Sequence, residues 1–213
     1  MRMSKSGQSA ADIVMQTDEA DLARIFWEYG EEKASRRIAK AICRVREETK
    51  ITSTGQLAAI IHSVMPAKRP GQIDPATRSF QALRIFVNHE LDELTAGLEA
   101  VEHLLRPGGV LAVVSFHSLE DRIVKRFLAS RGQHASRPSR HRPVIDGPAP
   151  SFEIISRKAI LPIEDERNQN SRARSAKLRI ARRTDAPPLG MAAAPYSTTN
   201  QATRSQKESE QCG

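Results

Sequence analysis

The run from Val110 to Ser115 constrains the fold more than any other part of the chain. It is apolar until its last residue, follows the turn Arg106-Pro107-Gly108-Gly109 and precedes a helical pattern. Without polar alternation, such a run predicts a strand buried on both faces. A strand of that kind needs neighbours in a sheet and helices over it. Further alternating stretches follow at 152–160 and 177–181, the second with Leu178 and Ile180 expected inward and Lys177 and Arg179 outward. The order of helices, buried strand, helix, strand, strand predicts an α/β sheet whose beginning is not visible in the chain.

Helical periodicity dominates what comes before the strand. Residues 1–16 show little pattern. Thr17 is a candidate N-cap for a helix carrying Leu22, Ile25, Phe26 and Tyr29, which Gly30 stops. A second helix is predicted over 31–48, with Ile38, Ala41, Ile42 and Val45 inward and Lys33, Arg36, Arg37, Lys40 and Arg44 outward. Ser53 and Gln56 have capping-box spacing ahead of Leu57, Ile60 and Ile61, and Pro66 ends that helix. Lys68 to Gly71 reads as a loop. Asp74-Pro75 reads as N-cap and first-turn proline of a pattern that runs to Leu105, as one long helix or two joined near Asn88. After the buried strand, Ser118 and Asp121 are spaced as a second capping box, in front of Ile123, Val124, Phe127 and Leu128.

Charge narrows the function. The 213 residues carry +8, but 122–183 holds 16 Lys and Arg against five acids, a net of +11, which leaves the remainder at −3. Charge so concentrated predicts a polyanionic partner, nucleic acid first. With 4% aromatic residues the core must be aliphatic. Two distant cysteines, Cys43 and Cys212, suggest neither a disulfide framework nor a metal site, and no apolar run is long enough to span a bilayer. A cytoplasmic protein is expected, without metal or membrane partner. From Asp185 onward the composition predicts a disordered tail, and the arginine-rich stretch 137–142 a mobile basic loop.

Three stretches carry a resemblance: Asp74-Pro-Ala-Thr-Arg-Ser-Phe-Gln-Ala-Leu-Arg-Ile-Phe-Val-Asn88, the segment from Leu105 to Phe127 that contains Ser115-Phe-His-Ser-Leu-Glu-Asp-Arg122, and Asn170-Ser-Arg-Ala-Arg-Ser-Ala-Lys-Leu-Arg-Ile-Ala181. Together they resemble the RsmH/MraW family of bacterial small-subunit ribosomal RNA cytosine-N4 methyltransferases. Tyr29-Gly-Glu-Glu32 and Arg37-Ile-Ala-Lys-Ala-Ile42 are similar to that family's helical insertion, and Met1-Arg-Met3 to an internal Met-Arg-Met just before it.

The resemblance implies the C-terminal part of a Rossmann-like class I methyltransferase fold with a helical insertion subdomain. Its parts would be a remnant of the methyltransferase domain over 1–16, an RNA-gripping insertion over 17–73, the C-terminal half of the methyltransferase domain over 74–185, and the tail over 186–213. It implies S-adenosylmethionine as cofactor, small-subunit ribosomal RNA or the 30S particle as partner, and methylation of a decoding-region cytidine as activity. The family's first four strands, with the glycine turn that holds the cofactor, have no counterpart in this sequence. Gly108-Gly109 precedes a strand instead of following one, and so reads as a structural turn. The chain alone is therefore expected not to bind the cofactor. The competing expectation is a catalytically inactive basic RNA-binding fragment.

Ser115 and His117 stand at the carboxyl edge of the buried strand, where α/β sheets place their ligands, and are the candidates nearest the target base. Ser118 is expected to serve only as a cap, and Phe116 as a core contact. For phosphate contact the candidates are Arg78 and Arg84 on the helix after Asp74, Arg122, Lys125 and Arg126 on the helix after the strand, and Arg172, Arg174 and Lys177 at the last strand.

Overall fold

The computed structural model describes residues 7–66, 73–132 and 148–189. Met1-Arg-Met3, the Lys68 to Gly71 loop, the 137–142 loop and the tail from 190 lie outside them. The chain divides into two compact units, Met1–Leu91 and Asp92–Gly213.

The first unit is helical: α1 Ala10–Gln16, α2 Glu19–Gly30, α3 Ser35–Glu48, α4 Thr54–Val64 and α5 Thr77–Asn88. Leu22, Phe26, Ile38, Ile42 and Leu83 are buried in one largely aliphatic cluster, as the helical stripes predicted, and Ile13 joins them. Helix α1 is an addition to the sequence reading. Its seven residues are too short for a period to emerge, and a capping box specifies it: Ser9 Oγ accepts from the Asp12 amide at 3.2 Å while Asp12 Oδ2 accepts from the Ser9 amide at 2.7 Å. Because α1 ends at Gln16, the Thr17 amide donates to Ile13 O. Thr17 thus closes α1, and the N-cap of α2 is Asp18, whose carboxylate accepts from the Asp21 amide at 2.8 Å.

Two further starts are corrected. Glu31 adopts a left-handed conformation, φ +49°, that terminates α2. The chain turns through the buried Glu32, whose Oε1 accepts from the Ala34 amide at 2.8 Å, and α3 begins at Ser35. Asp74 does not cap α5: it closes a turn by accepting from the Ala76 amide at 2.8 Å, and the helix starts at Thr77. The long pattern after Asp74 is two helices. His89, at φ +51°, ends α5, and α6 runs Glu90–Leu104. Ser53 and Gln56 form the expected capping box.

Gly30 sits where a side chain has no room. A Cβ there would lie 2.6 Å from the carbonyl oxygen of Arg78 on α5. Gly30→Ala is expected to push α2 from α5 and cost about 1 to 3 kcal/mol, read as a lowered urea midpoint of the full chain. An unchanged midpoint would show that the two helices yield freely.

The second unit contains an antiparallel sheet of order β1-β3-β2, with β1 Val110–Ser115, β2 Phe152–Ile154 and β3 Lys177–Arg183. Val110 pairs with Arg182 and Ser115 with Lys177, while Ile160 forms a bridge to Leu178. Helix α7, Ser118–Gly132, packs on the sheet through Ile123, Val124, Phe127 and Leu128. Two sequence expectations fail here. β1 is buried on one face only: Leu111 and Ser115 are covered, whereas Val110 and Val114 are about half exposed. An apolar run shows that both faces can be covered but cannot name the cover, and among the described residues only one face has it. On β3 the expected faces are exchanged. Arg179, Ala181 and Arg183 are buried, while Leu178 and Ile180 are only partly covered.

The inward arginines are satisfied. Arg183 donates to the carbonyls of Glu102, Ser151, Thr184 and Ala186. Residues 184–189 are thereby held against the unit, and the Leu189 amide donates to Glu102 Oε1 at 3.1 Å. Helix α8, Glu164–Gln169, and a 3-10 helix, Ser171–Ser175, precede β3. No residue of α8 is buried, so it carries no apolar stripe for a sequence reading to detect.

Candidate functional site

The register of the sheet builds the site. Since Ser115 pairs with Lys177, the carboxyl end of β1 lies against the start of β3, and α7 leaves from the same point. The chain turns at Phe116, whose ring is 54% exposed instead of entering the core. His117, not Ser118, is the residue that caps α7. Its Nδ1 accepts from the Glu120 amide at 3.4 Å, and Glu120 Oε2 accepts in return from the amides of Phe116 at 2.8 Å and His117 at 3.3 Å. The reciprocal pattern is a capping box set one residue before the expected one.

With Nδ1 accepting, the neutral ring carries its proton on Nε2. That nitrogen lies 3.2 Å from Glu120 Oε1, within ion-pair distance. It is buried without a hydrogen-bond partner among the described residues. A polar atom in that state offers a bond to an incoming group. Burial raises the Glu120 carboxyl pKa, but the His117 ring and the Phe116 and His117 amides lower it by more, so it lies below the ordinary value. Glu120 is an acceptor at neutral pH.

Asp121 was expected in a capping box and is instead the bridge to β3. Its Oδ1 accepts from Arg179 Nε at 2.7 Å and its Oδ2 from Lys177 Nζ at 3.2 Å. Burial pushes this carboxyl up, and the hydrogen bonds from Arg179 and then Lys177 more than offset it, so its pKa is also lowered. No spacing in the sequence announces this triad, because its members are joined only by the register of β1 and β3.

The structure brings together Ser115, His117 and Lys177 of the expected candidates, with Arg122 following as the fifth residue of α7. Ser115 is 3% exposed and its hydroxyl donates to Lys177 O at 3.4 Å. Lys125 and Arg126 lie exposed further along α7, and Arg172 and Arg174 are exposed on either side of the buried Ala173 in the 3-10 helix. Arg78 and Arg84 belong to the other unit. Arg78 donates to Glu31 O at 3.3 Å, and Arg84 grips Glu90 with two nitrogens, the shortest contact 2.8 Å.

The Gly108-Gly109 turn is engaged in backbone pairing. Gly108 is a positive-φ turn residue, φ +81°, and its amide donates to Arg183 O. The Gly109 amide donates to Arg106 O, and the Gly109 carbonyl accepts from the Arg183 amide. Both glycines are spent on joining β1 to β3. Among the described residues no group of His, Cys, Asp or Glu is arranged to hold a metal ion, and no helix is long and apolar enough to cross a membrane.

The model of the MraW methylase family matches residues 1–184, and the chain belongs to that family. It is similar to the ribosomal RNA small subunit methyltransferase H of Paramagnetospirillum magneticum, with 59% identity over 189 residues that cover 88% of this chain and 59% of that protein. The protein of that name from Azorhizobium caulinodans is 57% identical, with 88% of this chain and 54% of that protein covered. The one from a Ruegeria species is 52% identical, with 91% and 59% covered. The chain thus spans little more than half the length of these relatives.

Proposed function

We propose that this chain serves the S-adenosylmethionine-dependent N4-methylation of a decoding-region cytidine in small-subunit ribosomal RNA, supplying the RNA-facing side of the enzyme. The observation that carries the reading is the unbroken family match from 1 to 184, which includes the capped strand end at His117. The name shared by the relatives supports the substrate. On this reading the second unit is the C-terminal part of a Rossmann-like fold, 17–73 is its helical insertion, and the partner is the RNA or the 30S particle in the cytoplasm.

Methylation of an exocyclic amine requires the base to be held so that the amine lone pair meets the methyl group. His117 Nε2, buried beside Glu120 just past the strand end, would hold the base by an acceptor on its edge. Ser115, whose hydroxyl donates to Lys177 O, would help hold the strand end. Arg122, Lys125, Arg126, Arg172, Arg174 and Lys177 would take phosphates, with Lys177 held in place by Asp121. Arg78 and Arg84 would do the same from the helical unit.

A second reading, an inactive RNA-binding fragment, is favoured by the engagement of both Gly108 and Gly109 in backbone pairing. Deleting the coding segment in the source cells separates the two. Loss of N4-methylcytidine from small-subunit RNA, read by nucleoside mass spectrometry, is expected. Full retention of the modification would overturn the methylation reading. If the purified chain then still bound this RNA with affinity falling steeply in salt, the fragment reading would hold.

A further inference from the structure

The helical unit contains a cavity that the methylation reading does not use. About 770 Å³ in volume, it opens between the Ala20 to Trp27 side of α2 and the start of α3, within the range of about 300 to 1,000 Å³ typical of small-ligand sites. Alanines 20, 23 and 34 leave its floor low, and its walls are Trp27, Arg24, Lys33, Arg36 and Arg37. Four cations and no carboxylate line it.

Trp27 is the chain's single tryptophan and is 59% exposed. An indole that far out of the core on a helix with a well-filled apolar face has no packing reason to be there. The cations beside it are largely uncommitted. Lys33 and Arg36 have no ion pair among the described residues, and Arg37 reaches only Met65 Sδ at 3.7 Å. Arg24 pairs with Asp21 at 2.6 Å, but both side chains are about half exposed, so that pair is weak and exchangeable. The left-handed Glu31 and the buried carboxylate of Glu32 fix the turn that sets Lys33 beside the indole.

We infer that this cavity is a single-stranded RNA subsite, in which one unpaired base stacks on Trp27 and the adjoining phosphates are held by Lys33, Arg36 and Arg37. The assignment rests on the reading that the chain acts on ribosomal RNA and adds where an unpaired segment is gripped. Aromatic faces flanked by cations are the general chemistry of single-strand binding, since every base has a face to stack and every linkage a charge to neutralise. A duplex keeps its bases stacked on one another and offers none to the indole.

Trp27 reports on its own occupancy, because no other tryptophan contributes fluorescence. Titrating the full chain with a single-stranded cytidine oligoribonucleotide is expected to quench that fluorescence, and a duplex of equal length is expected to leave it largely unchanged. Trp27→Ala should weaken binding of the oligonucleotide about tenfold or more, whereas Trp27→Phe retains most of the affinity. Lys33→Ala with Arg36→Ala should reduce the dependence of affinity on salt. Trp27 is exposed, so circular dichroism of these variants is expected to match the parent.

Binding without quenching, and unaffected by Trp27→Ala, would overturn the subsite while leaving the RNA reading intact. No binding of any RNA at low salt would overturn both. Quenching that persists although deletion leaves cellular methylation unchanged would uphold the subsite and sink only the methylation reading.

Discussion

Replacing Glu102 by alanine is expected to lower the unfolding free energy of the second unit by about 3 to 5 kcal/mol. The Glu102 carboxylate is 1% exposed, receives Arg131 Nε at 3.2 Å, the Ser151 hydroxyl and the Leu189 amide, and so ties α6, α7, the residue before β2 and the segment after β3 together. Removing it strands the buried Arg131 guanidinium, which is 4% exposed, and leaves two further donors unsatisfied. An uncompensated buried charge costs far more than the net strength of the pair that held it. Against a domain stability of about 5 to 15 kcal/mol, that loss should bring much of the unit near its melting point at room temperature. Urea unfolding of Glu102→Ala, Arg131→Ala and the double variant checks it. The double variant should cost less than the sum of the singles, and strict additivity would show that the two groups do not interact.

Asp121→Ala is expected to cost about 3 kcal/mol, because it leaves Arg179, 8% exposed, without its carboxylate. Lys177→Ala removes the other arm of the same bridge, but that side chain is 37% exposed and the loss should stay below about 1 kcal/mol. The pH dependence follows from direction. The carboxyls of Asp121 and Glu120 both have folded pKa values below the ordinary ones, so their stabilisation is complete above an unfolded value of about 4 and is lost as pH falls through the folded values. The parent melting temperature should therefore drop steeply below about pH 4. In Asp121→Ala the curve should start lower and fall less. Parallel curves for parent and variant would show that Asp121 contributes nothing to acid sensitivity.

Both effects depend on arginines whose placement ran against the hydropathy pattern. Arg179 and Arg183 alternate with Leu178 and Ile180, and alternation alone assigns the aliphatic residues to the core. The reverse occurs because the opposing elements present Asp121, Glu102 O and Ser151 O to that face, each needing a donor. At the candidate site the same limitation applied in smaller measure. The strand end and its residues were legible, but whether Ser118 or His117 caps α7 turned on a ring nitrogen reaching the Glu120 amide. Trp27 carries no local signal, because its position beside Lys33 and Arg36 depends on the left-handed turn at Glu31, and nothing in the residue identity of a glutamate announces such a turn.

By itself the sequence determined the helical stripes of α2 to α5, the capping box at Ser53, the place of β1 and its turn, and the family through motifs that are contiguous in the chain, while it left open whether the pattern after Asp74 is one helix or two. These are local matters of periodicity, caps and glycine geometry, decided within one or two turns of backbone. Only the tertiary structure decided which face of β3 is inward, that β1 is covered on one side, that Asp121 joins α7 to β3, and that Glu102 holds residues 184–189 in place. Each of those depends on partners some thirty to ninety residues apart along the chain, and burying a charge is tolerable only where the fold delivers its counterpart.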